Sequence, residues 1–314
     1  MTHGASAAPG AEGARPGGTG ATDAGGAPVE REVAAARAKA YDAVYRGWTV
    51  KRVTRESYEA ATRFFLDAPA GEPGHLDGNE LGFAFQLLGV DRLEGRRILD
   101  YCCGAGRSSI YFALRGARVW GCDRSEEAVR IARRSAIESG VAASVQFAVA
   151  DVQELAFPSD YFDAVFCQSA LHIVADYPAA ARELARVLKP GGKAVFCEEA
   201  LGHNPVLEVV RARRRRRHAE CGGRTLRMDD LRRFGEAFSR MQVYPFNFFL
   251  QSKQFFGRRA HTGWAKLFLR VCRTADTALL GALPFLKRYC GKVVVEYVKE
   301  GQGAGSALQI THDK

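Results

Sequence analysis

The sequence predicts an α/β fold. It is a doubly wound, mostly parallel sheet of seven strands with helices on both faces, preceded by a helical cap and interrupted late by a helical lid. Three observations predict it. From Arg97 onward, short β-rich runs alternate with helical stretches, the signature of βαβ units and a parallel sheet. The first of these runs leads into a small-residue turn, Tyr101-Cys102-Cys103-Gly104-Ala105-Gly106. An aspartate stands at or just after the end of each of three successive strands: Asp100, Asp123 and Asp151.

The elements follow in order. Residues 1–28 are nearly all Gly, Ala, Pro, Thr and Ser. They have too little apolar surface to offset their ordering entropy and are expected to be a disordered tail. Residues 29–89 are the helical cap. Val29–Arg46 carries Val33, Ala36, Ala40 and Val44 at helical spacing; Thr54–Leu66 carries Tyr58, Ala61 and Phe65; Gly71–Gly78 reads as a loop; Asn79–Leu88 is a third helix. Residues 90–250 are the core. Strands are predicted at Arg97–Tyr101, Arg118–Cys122, Ser144–Ala148, Phe162–Gln168, Lys193–Glu198 and Gln242–Leu250. Helices are predicted at Ser108–Arg115, Ser125–Glu138 and Pro178–Val187, the second opened by a Ser cap with Glu in its first turn. Residues 251–290 are the lid, 291–300 hold the last strand, Lys292–Val298, and 301–314 are expected to be a flexible C-terminus.

Composition narrows the function classes. The 314 residues are 47% hydrophobic, enough for a sizeable core. No run of 18 apolar residues occurs, which excludes a transmembrane helix, and the first 28 residues lack the apolar region of a secretory signal. The eight cysteines form no CxxC pair, so no disulfide scaffold or cysteine zinc site is expected, and a cytoplasmic location fits. The net charge of +10 points to an anionic partner.

Glycines at the first turn permit positive φ and close approach of a ligand to the backbone. The dinucleotide fingerprint is G-x-G-x-x-G, but Ser109 stands where its third glycine belongs. Asp100 beside a pyrophosphate would set like charges together, whereas it suits a positively charged ligand. A carboxylate placed like Asp123 accepts hydrogen bonds from ribose hydroxyls. Asp151 lies on the same carboxyl edge, where ligands bind in doubly wound folds. Each Asp alone would equally serve as a helix cap.

Taken together, ILDYCCGAG (98–106), VWGCD (119–123), VADVQELAFP (149–158), FDAVFCQSALHIV (162–174) and LARVLKPGGKAVFCEE (184–199) resemble the class I S-adenosylmethionine-dependent methyltransferases, whose fold is Rossmann-like. The stretch through Leu201-Gly202-His203-Asn204-Pro205 resembles a bacterial small-molecule subgroup with an EPLGHNP segment. The resemblance implies S-adenosyl-L-methionine as cofactor. It implies that Asp100, Gly104 and Gly106 hold the methionine part, Asp123 the ribose hydroxyls, and Asp151 with the backbone of Val152 the adenine. Cys102, Arg124 and Gln168 complete the implied cofactor set. Cys102 stands where the family has glycine.

Methyl transfer from a sulfonium is an in-line displacement in which positioning dominates, and a base is needed only for a hydroxyl or an acidic carbon. His172, just after the fourth strand, is the candidate base, with a structural histidine as the alternative. His203 reads as a turn residue, and one of Glu198 and Glu199 is expected to face the substrate. The family's base-modifying members carry (N/D)-P-P-(Y/F) where this chain has Gln168-Ser169-Ala170-Leu171, so nucleic acid is not the expected substrate. Cys102, Cys103, Cys122, Cys167 and Cys197 are expected at strand ends facing the crevice, as small side chains rather than metal ligands. Six arginines lie between Arg211 and Arg217. They read as a solvated face, with an anion site for RNA, anionic lipid or a phosphorylated substrate as the alternative. The aromatic and basic sequence of the lid suits a lipophilic acceptor or peripheral contact with a membrane.

The reading is therefore a methyltransferase acting on oxygen or carbon of a small or lipophilic acceptor, with a secondary metabolite first and a quinone-like molecule next. The alternatives are an RNA-binding methyltransferase, a dinucleotide oxidoreductase, and a non-methylating enzyme using the same cofactor.

Overall fold

The computed structural model describes residues 28–59, 80–198, 202, 204, 225–246, 248–249, 263–301 and 309–312. The predicted tail, the Gly71–Gly78 loop, Glu199, His203, the Arg211–Arg217 run and the first part of the lid lie outside the described residues.

The helices are α1 (Pro28–Tyr45), α2 (Glu80–Leu88), α3 (Arg107–Leu114), α4 (Glu126–Glu138), α5 (Tyr177–Val187), α6 (Met228–Gly235) and α7 (Gly263–Ala282). The strands are β1 (Arg97–Tyr101), β2 (Arg118–Asp123), β3 (Val145–Val149), β4 (Phe162–Gln168), β5 (Leu188–Glu198), β6 (Arg240–Phe246), β7 (Lys292–Val298) and β8 (Gln309–His312). Residues 55–59 are also helical.

The strands form one sheet in the order β3-β2-β1-β4-β5-β7-β6-β8. The pairs from β3 to β5 are parallel, and β7 runs antiparallel to both β5 and β6. The seven predicted strands are all present. An eighth, β8, pairs parallel with β6 inside the stretch expected to be a flexible C-terminus. Its QITH sequence is short, and only pairing with an existing edge makes it a strand.

Side chains alternate across the central strands and feed two cores. On β4, Ala164 and Phe166 pack on one face with Phe85 and Phe112, while Val165 and Cys167 pack on the other with Leu184 and Phe196, joined there by Phe162 on the far side of a register shift. Burying each large apolar side chain contributes about 1.5–3 kcal/mol. The Leu188–Gly192 stretch joins β5 through a register shift opposite Phe162 and Ala164, with Gly191 at φ +73°. The β6 strand ends earlier than predicted, at Phe246. The N–H groups of Phe248 and Phe249 leave the sheet and donate to the buried Asp276 carboxylate of α7 at 3.0 and 2.6 Å.

One predicted face is corrected. Ala36 and Val44 of α1 are exposed, and the helix instead turns Arg37, Tyr41 and Tyr45 inward, at i, i+4 and i+8. It docks against the carboxyl edge of the sheet through these polar side chains and Asp42. Among the described residues, no helix is long and apolar enough to cross a membrane.

Candidate functional site

The chain leaves β1 in a tight turn with left-handed backbone at Cys102 (φ +59°), Gly104 (+53°) and Gly106 (+73°), then enters α3. Gly106 is sterically required, because Phe147 and Ala132 fill the space beside it, whereas Gly104 is favoured by its positive φ and faces only the hydroxyl end of Tyr45. A β-carbon on Gly106 would lie 2.7 Å from the Phe147 ring, and one on Gly104 would lie 2.5 Å from the Tyr45 hydroxyl. Cys102 holds the same conformation with a side chain, which costs about 1–2 kcal/mol.

Asp123 ties this turn to the end of β2. Its Oδ2 accepts the Gly104 N–H at 2.8 Å, and its Oδ1 accepts the Ser125 N–H at 2.9 Å. Burial raises its pKa, and the backbone donors pull it back down. Each carboxylate oxygen has two lone pairs, so both keep capacity for a further donor. From α1, Asp42 Oδ1 accepts the Ser125 hydroxyl at 2.5 Å and the Glu127 N–H at 3.1 Å, while Ser125 Oγ caps α4 by accepting the Ala128 N–H. The Asp42 carboxylate thus sits at the positive end of α4 and fixes α1 over the turn.

A cavity of about 200 Å³ opens here. Of the predicted site residues, Cys102, Asp123, Arg124, Val152, Gln168 and His172 line it. Arg37, Tyr41 and Tyr45 of α1 form another wall that sequence reasoning missed. The signal was present as their i, i+4, i+8 spacing, masked by the Ala and Val residues beside them.

The other predicted residues stand behind the lining. Asp100 is buried on β1 and accepts the Ser109 hydroxyl. Burial pushes its pKa up to about 7, against the smaller effect of that bond. The Asp151 carboxylate accepts from Arg124 at 2.7 Å and from the Gln153 backbone at 3.0 Å. The three acids therefore do not share one lining, although they cluster at one edge. The cysteines differ as well. Cys102 lines the cavity, whereas Cys122, Cys167 and Cys197 are buried in the cores. Burial pushes the Cys122 and Cys167 thiols up, which keeps them in the unreactive neutral form.

At the end of β4 the chain reverses at Ser169, at φ +55°, and forms a short 3-10 turn, Leu171–Ile173. Glu198, wholly buried at the end of β5, organises this turn. Its Oε1 accepts the N–H groups of Ala170 (2.9 Å) and Leu171 (2.8 Å), and its Oε2 lies 3.4 Å from His172 Nδ1. Glu198 is thus a support for His172 rather than a substrate contact. Asn204, just past β5, donates to the Tyr289 carbonyl at 3.3 Å.

Residues 99–196 match the family described as a methyltransferase domain. The chain is 40% identical over 152 residues to the ubiquinone biosynthesis O-methyltransferase of Alkalilimnicola ehrlichii, covering 47% of this chain and 59% of that protein. It is 41% identical over 109 residues to the demethylmenaquinone methyltransferase of Clavibacter sepedonicus, covering 35% and 43%. It therefore spans about half the length of these curated relatives. The geranyl diphosphate C-methyltransferase of Streptomyces coelicolor A3(2) superposes with a TM-score of 0.54 at 15% identity over 87% of this chain and 99% of that one, a likeness of fold.

Proposed function

We propose that this chain, whose residues 99–196 match the methyltransferase domain family, is a class I S-adenosylmethionine-dependent methyltransferase that methylates oxygen or carbon of a small, lipophilic acceptor. The observation that carries the proposal is one cavity bounded by Asp123 at the glycine turn and by His172 at the end of β4. The names of the curated relatives make a quinone-type ring the first acceptor class to test, ahead of the wider class of secondary metabolites.

The residues present fit the cofactor. Asp123 keeps acceptor capacity for the two ribose hydroxyls, and Val152 and Ala150 offer an apolar wall for adenine. When bound, S-adenosyl-L-methionine supplies a methyl group already activated on a sulfonium. The chain's own residues then position the acceptor and manage its proton. With His172 Nδ1 turned to Glu198, Nε2 is the nitrogen that accepts a proton from an acceptor hydroxyl. The Glu198 carboxylate stabilises the imidazolium that results. An acceptor hydroxyl would give its proton to His172 Nε2, while the bound cofactor would supply the methyl group.

Titration calorimetry with S-adenosylhomocysteine and with NAD tests the cofactor, and mass spectrometry of extracts incubated with S-adenosylmethionine tests transfer. Binding of the homocysteine compound and products heavier by one methylene are expected. Tight NAD binding with no response to S-adenosylhomocysteine overturns the reading.

A further inference from the structure

The outer face of α7 is apolar and open to solvent. Trp264, Leu267, Phe268 and Val271 follow one another at i, i+3, i+4 and i+7, and Leu267 and Val271 are 64% and 60% exposed. The same helix uses a different face inward: Cys272, Asp276 and Leu280, each four residues apart, are buried. Leu280 belongs to the core with Tyr244 and Val294, and Asp276 anchors the chain after β6. The helix thus has an inward face that is distinct from the exposed stripe. Beyond the helix, Leu283 and Phe285 extend the apolar surface. Soluble surfaces scatter single apolar residues, whereas a contiguous patch of this kind marks an interaction site.

Charge decides the occupant. Residues 263–291 contain five Lys or Arg and one acid, Asp276, which is buried. Arg270 on the helix and Arg288 in the segment that follows it are exposed, on a chain of net charge +10. A second copy meeting this face about a two-fold axis would bring two basic rims together, on chains that each carry +10. A zwitterionic surface would leave the basic rim without a counter-charge. An anionic bilayer satisfies both features, with Trp, Phe and Leu entering the acyl boundary and the arginines at the headgroups.

We infer that α7 is an interfacial helix through which the protein docks reversibly on anionic membranes, its apolar stripe facing the lipid. The helix lies on the surface; it does not span.

The test is co-sedimentation of the full chain with vesicles of phosphatidylcholine alone and of three parts phosphatidylcholine to one part phosphatidylglycerol, at low and high salt. Sedimentation with the anionic vesicles that falls as salt rises is expected, with little on the neutral ones. The Leu267→Ser/Val271→Ser variant should bind anionic vesicles about tenfold or more weakly. Arg270→Glu should weaken binding without removing an apolar group. Circular dichroism melting of each variant confirms that it folds. Absence of vesicle binding overturns the proposal, as does equal binding to neutral vesicles. Unchanged binding by the folded double variant also overturns it, since another basic segment would then be responsible. A dimer in sizing experiments that the double variant dissociates assigns the face to a second copy and overturns it too.

Discussion

Glu198 Oε2 stands 3.4 Å from His172 Nδ1, while Glu198 Oε1 takes the N–H groups of Ala170 and Leu171. One buried carboxylate therefore fixes both the backbone of the turn and the ring on it. If His172 is the base, His172→Ala should lower turnover on a hydroxyl acceptor by roughly 10²–10⁴-fold, the usual contribution of general base catalysis. Cofactor affinity should stay unchanged. Glu198→Gln keeps an acceptor for the turn but loses the charge, so it should lower kcat and alter the pH–rate profile while leaving the melting temperature close to wild type. Steady-state kinetics over a pH series checks both variants. Full turnover in His172→Ala would make the histidine structural and leave the chemistry to positioning alone.

Asp123 receives N–H groups from Gly104 and Ser125 and also lines the cavity. Asp123→Ala should weaken S-adenosylhomocysteine binding by about 1–3 kcal/mol, the range for losing hydrogen bonds to a buried charged acceptor. Asp123→Asn retains one acceptor oxygen and should lose less. Titration calorimetry reads both, and an alanine variant that binds as tightly as wild type removes the ribose role.

Much of this arrangement was legible in the sequence, and the misses share a physical cause. The β1, β4 and β7 strands fall at their predicted bounds, because each is an apolar run flanked by charge or a turn and is buried on both faces. The glycine turn and Asp123 were legible because steric need and a strand end coincide there. The inner face of α1 was not. Hydrophobic periodicity finds helices that dock on apolar cores, while Arg37, Tyr41 and Tyr45 face a polar cavity. Asp100 and Asp151 read as ligand groups from their place at strand ends and from the family resemblance. The sequence holds no sign that Ser109 and Arg124 already engage them. The role of Glu198 likewise depends on the reversal at Ser169, a left-handed residue that no propensity marks.

Cys102 sits at φ +59° with a β-carbon. Cys102→Ala and Cys102→Gly both remove the sulfur, so their difference isolates the backbone. The glycine variant should be the more stable of the two by about 1 kcal/mol, because left-handed backbone is strained for L-residues and open to glycine. Denaturant unfolding of the two variants measures this. Equal stability, or a more stable alanine variant, shows that the turn relaxes around a side chain.

Asp100 gives the clearest dependence on pH. Burial raises its folded pKa from 3.8 to about 7. An acid whose pKa is raised by folding binds a proton more tightly in the native state. Its contribution to stability is therefore fully present below about pH 4 and is lost as pH rises through 7. Each unit of raised pKa is worth about 1.4 kcal/mol, so the loss across this window is a few kcal/mol. Asp100→Asn keeps a partner for the Ser109 hydroxyl without the titrating charge. Its stability relative to wild type should rise steadily from pH 5 to pH 8 and then level off, as read by urea unfolding in the absence of cofactor. A difference that is flat with pH, or that falls, would show that Asp100 keeps an ordinary carboxylate pKa inside the fold.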